Sequence, residues 1–113
     1  MPWIQRPLGV RIHSQVTGRP DAPPVLLIQG LGMNKNGWAL QRFAMATKFR
    51  TIAFDNRGSG RSTIPAEAFS LQDMADDAVA VLDHYGVRDA HIVGASMGGA
   101  IAQIIAVKYP ERV

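Results

Sequence analysis

The chain has 113 residues, of which 47% are hydrophobic and 19% charged, and its formal net charge is +3. This length allows one small domain with a single core and excludes a multidomain enzyme. Because the sequence contains no cysteine, disulfide frameworks, thiolate metal sites and a cysteine nucleophile are excluded. The 12 Lys and Arg residues are scattered singly, so we expect no nucleic-acid partner.

The N-terminus lacks the basic start, the long apolar run and the cleavage site of a signal peptide. Together with the absence of cysteine, this favours a cytoplasmic location. The apolar stretch 92–107 is interrupted by Gly, Ser and Gln and is too short for a membrane span. We therefore expect no membrane partner.

The first half of the chain alternates strand and helix patterns. Residues 10–16 alternate with period two, which predicts a half-exposed strand near a sheet edge. Residues 25–28 form a continuous apolar run, which is typical of a strand buried on both faces. Residues 38–48 are predicted to form a helix with Phe43 and Ala44 facing the core.

A second buried strand is predicted at residues 51–54, followed by a sharp turn and the clearest helix, residues 71–85. Ser70 and Asp73 resemble a capping box at its start, and Gly86 suits its end. We expect the acidic residues of this helix to form a solvated face that matches the helix dipole and not a metal site; they are Asp73, Asp76 and Asp77.

The last predicted elements are a short strand at residues 91–93 and a largely buried helix at residues 97–108. The order strand, helix, strand, helix, strand, helix predicts an α/β fold, in which a parallel sheet lies between crossover helices. We expect residues 1–113 to form a single, incomplete domain of this kind, and we expect neither a metal nor another cofactor.

The motif that carries chemistry is G-x-S-x-G at residues 94–98, between a predicted strand and a predicted helix. This context is what a nucleophile elbow requires, because the serine must sit on a strained turn with its hydroxyl presented outward. Gly94 and Gly98 remove the side chains that would obstruct the turn. Ser96 is the candidate nucleophile, and the N–H of Met97 at the start of the following helix is a candidate oxyanion donor.

A second oxyanion donor is expected after the preceding buried strand, where the glycine-rich loop begins. Gly30 brings this loop close, so the N–H of Leu31 is the candidate donor. Phosphate-binding loops also use glycine-rich turns between strand and helix, but neither phosphate signature fits. Residues 94–99 lack the G-x-G-x-x-G spacing, and residues 60–62 carry Arg where a P-loop has Lys.

These motifs resemble the N-terminal half of the α/β-hydrolase superfamily over nearly the whole chain. The resemblance is carried by residues 28–32, by the segment Asp55-Asn56-Arg57-Gly58-Ser59-Gly60-Arg61-Ser62, by the helix that contains residues 74–82, and by residues 91–99. It implies that Ser96 is the nucleophile and that the Leu31 and Met97 N–H groups form the oxyanion hole. Relatives commonly carry His where Gln29 stands, which affects loop geometry and substrate preference. We interpret Asp55 and Arg57 as anchoring groups.

The superfamily's triad continues, after the serine, with an acid and then a histidine. After Ser96 the sequence offers only Glu111 and no histidine. His91 begins the strand that ends at the elbow, so it should lie on the order of 16 Å from the serine. His84 ends the helix that leads into this strand, so it should lie at the same end of the sheet as His91, away from the serine. His13 lies on a predicted peripheral strand. A general base is therefore missing, and we expect the 113 residues alone to be nearly inactive.

The resemblance thus implies the N-terminal portion of a serine hydrolase that acts on a small-molecule ester, lactone or related acyl substrate. Perhydrolases and carbon–carbon bond hydrolases of the superfamily remain open, whereas epoxide hydrolases and dehalogenases usually place Asp where Ser96 stands. The alternative is a non-catalytic binding or interaction module that kept the fold. In either case, the sequence stops at residues 112–113, where the next strand would begin, so we expect one uncovered sheet edge and self-association through it.

Overall fold

The computed structural model describes residues 2–113 and contains one five-stranded sheet in the order β1-β2-β4-β3-β5. Strands β3, β4 and β5 are parallel, whereas β2 joins β4 antiparallel and β1 joins β2 antiparallel. The predicted parallel sheet is confirmed for these three strands, and the N-terminal pair makes the whole sheet mixed. The strands are β1 (Trp3–Gln5), β2 (Arg11–Thr17), β3 (Pro24–Ile28), β4 (Arg50–Phe54) and β5 (His91–Gly94).

The helices are α1 (Ala39–Met45), α2 (Leu71–His84) and α3 (Met97–Lys108), with short 3-10 turns at Pro7–Gly9, Lys35–Trp38 and Pro110–Arg112. The main core lies between α2, α3 and one face of the sheet, where Leu26 and Ile28 are fully buried. The opposite face, with Val25 and Leu27, packs against Trp38. Because successive side chains of a strand point to opposite faces, the continuous apolar run of β3 serves both layers, as predicted.

The predicted orientation of α1 is wrong. Phe43 is 83% exposed and Ala44 is exposed, whereas Trp38 and Met45 pack toward the sheet. The helix begins only at Ala39, directly after the 3-10 turn Lys35–Trp38, whose buried Trp38 packs on the sheet. Trp38 therefore fixes which face of α1 meets the sheet.

Helix α3 has the predicted bounds but is less buried than predicted. Only Gly98, Ile101 and Ile105 are buried, whereas Val107 is 84% exposed. The helix is apolar on all sides, but in residues 2–113 it is covered only on the side that faces α2 and the sheet. No helix in the described part of the chain is long and apolar enough to cross a membrane.

Helix α2 begins with the predicted capping box, since Ser70 Oγ accepts from the Asp73 N–H at 3.1 Å and Asp73 Oδ2 accepts from the Ser70 N–H at 2.9 Å. The predicted solvated acidic face is wrong at Asp77, which is fully buried and bonds to Arg6 and Arg57. Its partners lie far away in the sequence, so the local pattern did not reveal them.

Asp76, on the same helix, is also paired. Partial burial disfavours its charged form, but hydrogen bonds from Tyr109, Lys108 and Gln72 outweigh this and lower the pKa of Asp76. No group of three or more acidic or histidine side chains able to hold a metal occurs among residues 2–113. The acidic residues of α2 thus make structural pairs.

Candidate active site

Ser96 lies between β5 and α3 in a backbone conformation that a residue with a side chain rarely adopts. Its φ is 56° and its ψ is −118°, and such a conformation costs on the order of 1–3 kcal/mol. The turn is held by hydrogen bonds from the Ala95 N–H to the Ile28 carbonyl at 3.0 Å and from the Gly99 N–H to the Ser96 carbonyl at 2.8 Å. The Ser96 side chain is exposed to solvent. The structure therefore has the strained turn that the sequence predicts for a nucleophile elbow.

Two glycines make this turn sterically feasible. A methyl group on Gly94 would meet the Gly98 carbonyl and would lie 2.6 Å from the Gly99 nitrogen. A methyl group on Gly98 would meet the Ile28 carbonyl and would lie 2.9 Å from the Gln29 oxygen. All these neighbours are backbone atoms, which cannot rotate away. Strand β3, strand β5 and helix α3 therefore approach each other only because both positions are glycine.

The loop after β3 packs directly against Ser96. Because β3 and β5 are parallel neighbours with Ile28 opposite Gly94, their carboxyl ends meet at the same edge of the sheet. A methyl group on Gly30 would lie 3.2 Å from Ser96 Cβ and 3.7 Å from the Met97 nitrogen. The structure thus brings Gly30, and Leu31 directly after it, to the elbow.

The two candidate oxyanion donors both have their N–H groups unused. Met97 is the first residue of α3, where backbone N–H groups have no partner within the helix. Within residues 2–113, neither the Met97 N–H nor the Leu31 N–H donates a hydrogen bond to another residue. An oxygen that carries negative charge beside Ser96 could accept from both, since the helix N-terminus also favours an anion.

Gln29, the departure from the superfamily pattern, is buried beneath this loop. Its Oε1 accepts from the Gly30 N–H at 3.2 Å, and its carbonyl accepts from Asn56 Nδ2 at 2.9 Å. A methyl group on Gly37 would collide with Gln29 Nε2, so the carboxamide is enclosed. Gln29 therefore stabilises the start of the loop and does not face the solvent.

Asp55 is an anchoring group, as predicted. Its fully buried carboxylate accepts from the Lys35 N–H at 2.7 Å, from Lys35 Nζ at 3.0 Å and from the Arg61 N–H at 2.9 Å. Arg57 is anchoring as well: the hydrogen bond from its guanidinium to Asp77 raises the pKa of Arg57 despite partial burial. Sequence reasoning missed Lys35, because a lone lysine in a loop normally predicts an exposed side chain.

The histidines lie away from Ser96. His91 pairs with Val25 at the amino ends of β3 and β5, opposite the end that carries the elbow. His84 ends α2. His13 lies on β2, three strand spacings from β5, or about 14 Å. Its ring packs edge-on against Trp3, and the pKa of His13 is lowered by burial and by the nearby cations Lys35 and Arg61.

The fold and this strand-to-helix serine together define the α/β-hydrolase class. The alpha/beta hydrolase fold family matches residues 23–113, and the chain belongs to this family. The chain is 32% identical over 103 residues to 3-oxoadipate enol-lactonase 2 of Acinetobacter baylyi, covering 91% of this chain and 39% of that protein. It is 38% identical over 109 residues to rhodomycin D methylesterase DauP of a Streptomyces species, and this match covers 91% of this chain and 36% of that protein.

A solved structure described as Est816, an N-acyl homoserine lactone degrading enzyme, matches with a TM-score of 0.93 at 37% identity. The match covers 99% of this chain and 42% of that one. The chain therefore spans about two fifths of the length of these relatives. The curated relatives described above are a lactonase and a methylesterase, both of which are hydrolases.

Proposed function

We propose that this chain supplies the nucleophile and the oxyanion hole of a serine hydrolase that cleaves an ester, a lactone or a related acyl compound. The observation that carries the proposal is the position of Ser96: a strained, exposed serine at the start of α3 with the Gly30 loop packed against it. Ser96 Oγ attacks the substrate carbonyl carbon and forms a tetrahedral intermediate. The Leu31 and Met97 N–H groups donate to the oxygen that becomes negative.

The proton of Ser96 must pass to a base, and the positions of the three histidines leave none within reach of Ser96. We therefore propose that the histidine and acid of the triad come from outside these 113 residues. A serine without its base is a weak nucleophile, so residues 2–113 alone should hydrolyse esters very slowly.

The proposed substrate is a small-molecule ester, lactone or related acyl compound. Leu31 is 82% exposed and Met33 is 50% exposed in the loop that packs against Ser96, which offers apolar contacts to an acyl chain. The lactonase and the methylesterase among the relatives support oxygen esters over other acyl derivatives. The cytoplasmic location and the absence of a nucleic-acid partner remain predictions from composition.

The test is covalent labelling by a fluorophosphonate in the protein as its natural gene encodes it. Ser96 Oγ attacks phosphorus, fluoride leaves and the serine proton passes to the base, so a stable phosphonate ester forms. We expect one labelled peptide containing Ser96, no label in Ser96→Ala, and full labelling in Ser59→Ala, a matched serine in a nearby loop. An unlabelled wild type, or a label that persists in Ser96→Ala, would refute the proposal.

The second candidate is a binding module that associates with itself through the open edge of the sheet. Among the described strands β5 pairs only with β3, and Val93 at this edge is 42% exposed. Unpaired edges invite pairing with another chain. Sedimentation analysis that gives a dimer, together with absent labelling of Ser96, would favour this candidate over the hydrolase.

A further inference from the structure

The loop that presents the Leu31 N–H is held at two points by consecutive residues at the end of β4. Asn56 Nδ2 donates to the Gln29 carbonyl at 2.9 Å, where the loop leaves β3. Asp55 accepts from the Lys35 N–H at 2.7 Å and from Lys35 Nζ at 3.0 Å, where the loop turns into the Lys35–Trp38 segment. We call Asp55, Asn56 and the Lys35 side chain the loop anchor.

The loop anchor is rigid because its own surroundings fix it. Asp55 is 0% exposed and Asn56 1% exposed. The Asp55 carboxylate also accepts from the Arg61 N–H at 2.9 Å and lies against Gly60, where a methyl group would come within 2.6 Å of Oδ1. Groups outside the loop therefore fix the position of the Asp55 carboxylate.

Lys35, the lysine of the loop anchor, is unusually buried. Lys35 is 4% exposed, and a lysine is rarely buried because its ammonium loses its hydration. A buried ion pair adds little net stability compared with apolar residues of the same size, but it fixes a geometry. The main effect of the Lys35–Asp55 pair is therefore to fix the position at which the loop ends, and its net contribution to the stability of the fold is small.

Between the two attachment points the loop has only residues 30–34, and these contain the Leu31 N–H. Gly30 touches the elbow, and its carbonyl accepts from the Met33 N–H at 3.2 Å, so the segment is a tight turn. Because so few residues separate the attachment points, a shift at Lys35 or Gln29 displaces Leu31 relative to Ser96.

We propose that Lys35, Asp55 and Asn56 are positioning residues that set the Leu31 N–H at the distance an oxyanion requires. This inference rests on the proposed function of Ser96. An oxyanion donor acts on the transition state, where the charge develops, and not on the bound substrate. Loosening the anchor should therefore lower kcat and leave KM nearly unchanged.

The experiment uses Lys35→Met, which keeps the length and loses the ammonium, and Asn56→Leu, which keeps the volume and loses the donor. Lys48→Met and Asn36→Leu are matched controls at exposed positions. The variants are made in the protein as its natural gene encodes it. The measurements are the rate of fluorophosphonate labelling at Ser96, kcat and KM for a simple ester, and folding by circular dichroism.

We expect both anchor variants to lose about 10- to 100-fold in kcat and labelling rate, less than the roughly 100- to 1,000-fold cost of removing an oxyanion donor outright. KM should change less than about two-fold, because the lost interaction acts only in the transition state. The controls should match wild type. If Asn56→Leu does not fold, Lys35→Met decides.

Each other outcome counts against the inference. Unchanged kcat in a folded Lys35→Met, or a rise in KM at constant kcat, would overturn it while leaving Ser96 as the nucleophile. If neither anchor variant folds, the anchor is a folding element and the inference is also overturned. An unlabelled wild-type Ser96 would instead refute the proposed function itself, so the two failures are distinguishable.

Discussion

Replacing Gly98 by alanine tests whether β3 and α3 require a backbone-to-backbone contact beneath the elbow. The added methyl group would meet the Ile28 carbonyl oxygen and would lie 2.8 Å from its carbon and 2.9 Å from the Gln29 oxygen. None of these atoms can rotate away. The helix must therefore move from the strand, or the strand must bend.

The expected magnitude follows from two opposing effects. Alanine in place of a helical glycine stabilises by up to about 1 kcal/mol. Overpacking costs about 1–3 kcal/mol, and contact with rigid backbone places this case at the upper end or beyond. We expect Gly98→Ala to lower the free energy of unfolding by about 2 kcal/mol.

Gly99→Ala is the matched control, one residue further along α3. There the nearest atom to an added methyl group is the Gly94 carbonyl oxygen at 3.6 Å, which is ordinary van der Waals contact. Only the conformational effect remains, so this variant should gain up to about 1 kcal/mol.

The assay is urea unfolding followed by circular dichroism, applied to both variants in the protein as its natural gene encodes it. The difference between the two variants, about 3 kcal/mol from the estimates above, is more informative than either value alone because both add the same methyl group. A Gly98→Ala variant as stable as Gly99→Ala would refute the reasoning.

Three further predictions concern buried or strained residues. Asp77→Asn should cost about 3 kcal/mol in urea unfolding because it breaks a buried ion-pair network, whereas Asp21→Asn, whose side chain is 81% exposed, should change almost nothing. Burial lowers the pKa of His13 from 6.5, so the folded protein binds a proton at this residue less readily than the unfolded chain does. The free energy of unfolding should therefore be highest above about pH 6.5 and should decrease as the pH falls below it, and His13→Gln should flatten this part of the stability–pH curve. Ser96→Gly should remove fluorophosphonate labelling yet raise the thermal midpoint by relieving roughly 1 kcal/mol of strain, and a lower midpoint would contradict that estimate.

The parallel core of the fold could be predicted because its signals are local. The apolar runs of β3 and β4 identify buried strands, and the spacing within α2 identifies an amphipathic helix. Strand β1 was missed because three residues between two prolines carry no periodicity. The prediction that Phe43 faces the core is wrong because the short helix α1 is oriented by Trp38, which packs on the sheet and lies outside the helix.

Long-range polar pairs could not be predicted from the sequence. Asp77 bonds to Arg6 across 71 positions, and Asp55 bonds to Lys35 across 20. Residue type and local spacing indicate a solvated charge at Asp77 and at Lys35, because the burial of these side chains is set only when distant segments of the chain pack over them. Ser96 was predictable for the opposite reason: its constraints are glycines two residues away, written into the motif itself.

The candidate site is assembled from the carboxyl ends of three neighbouring strands, and each contributes a different constraint. Strand β5 leads into Ser96, and β3 fixes the turn through the Ile28 carbonyl, which accepts from the Ala95 N–H. Asp55 and Asn56, directly after β4, hold the loop that carries Leu31. The candidate oxyanion donors follow the ends of β3 and β5, whereas the residues that hold the loop follow β4. If the proposed roles are correct, a substitution at Asn56 should alter the chemistry at Ser96 without altering the elbow. A mutational scan that finds sensitivity only in the elbow motif would contradict this division of roles.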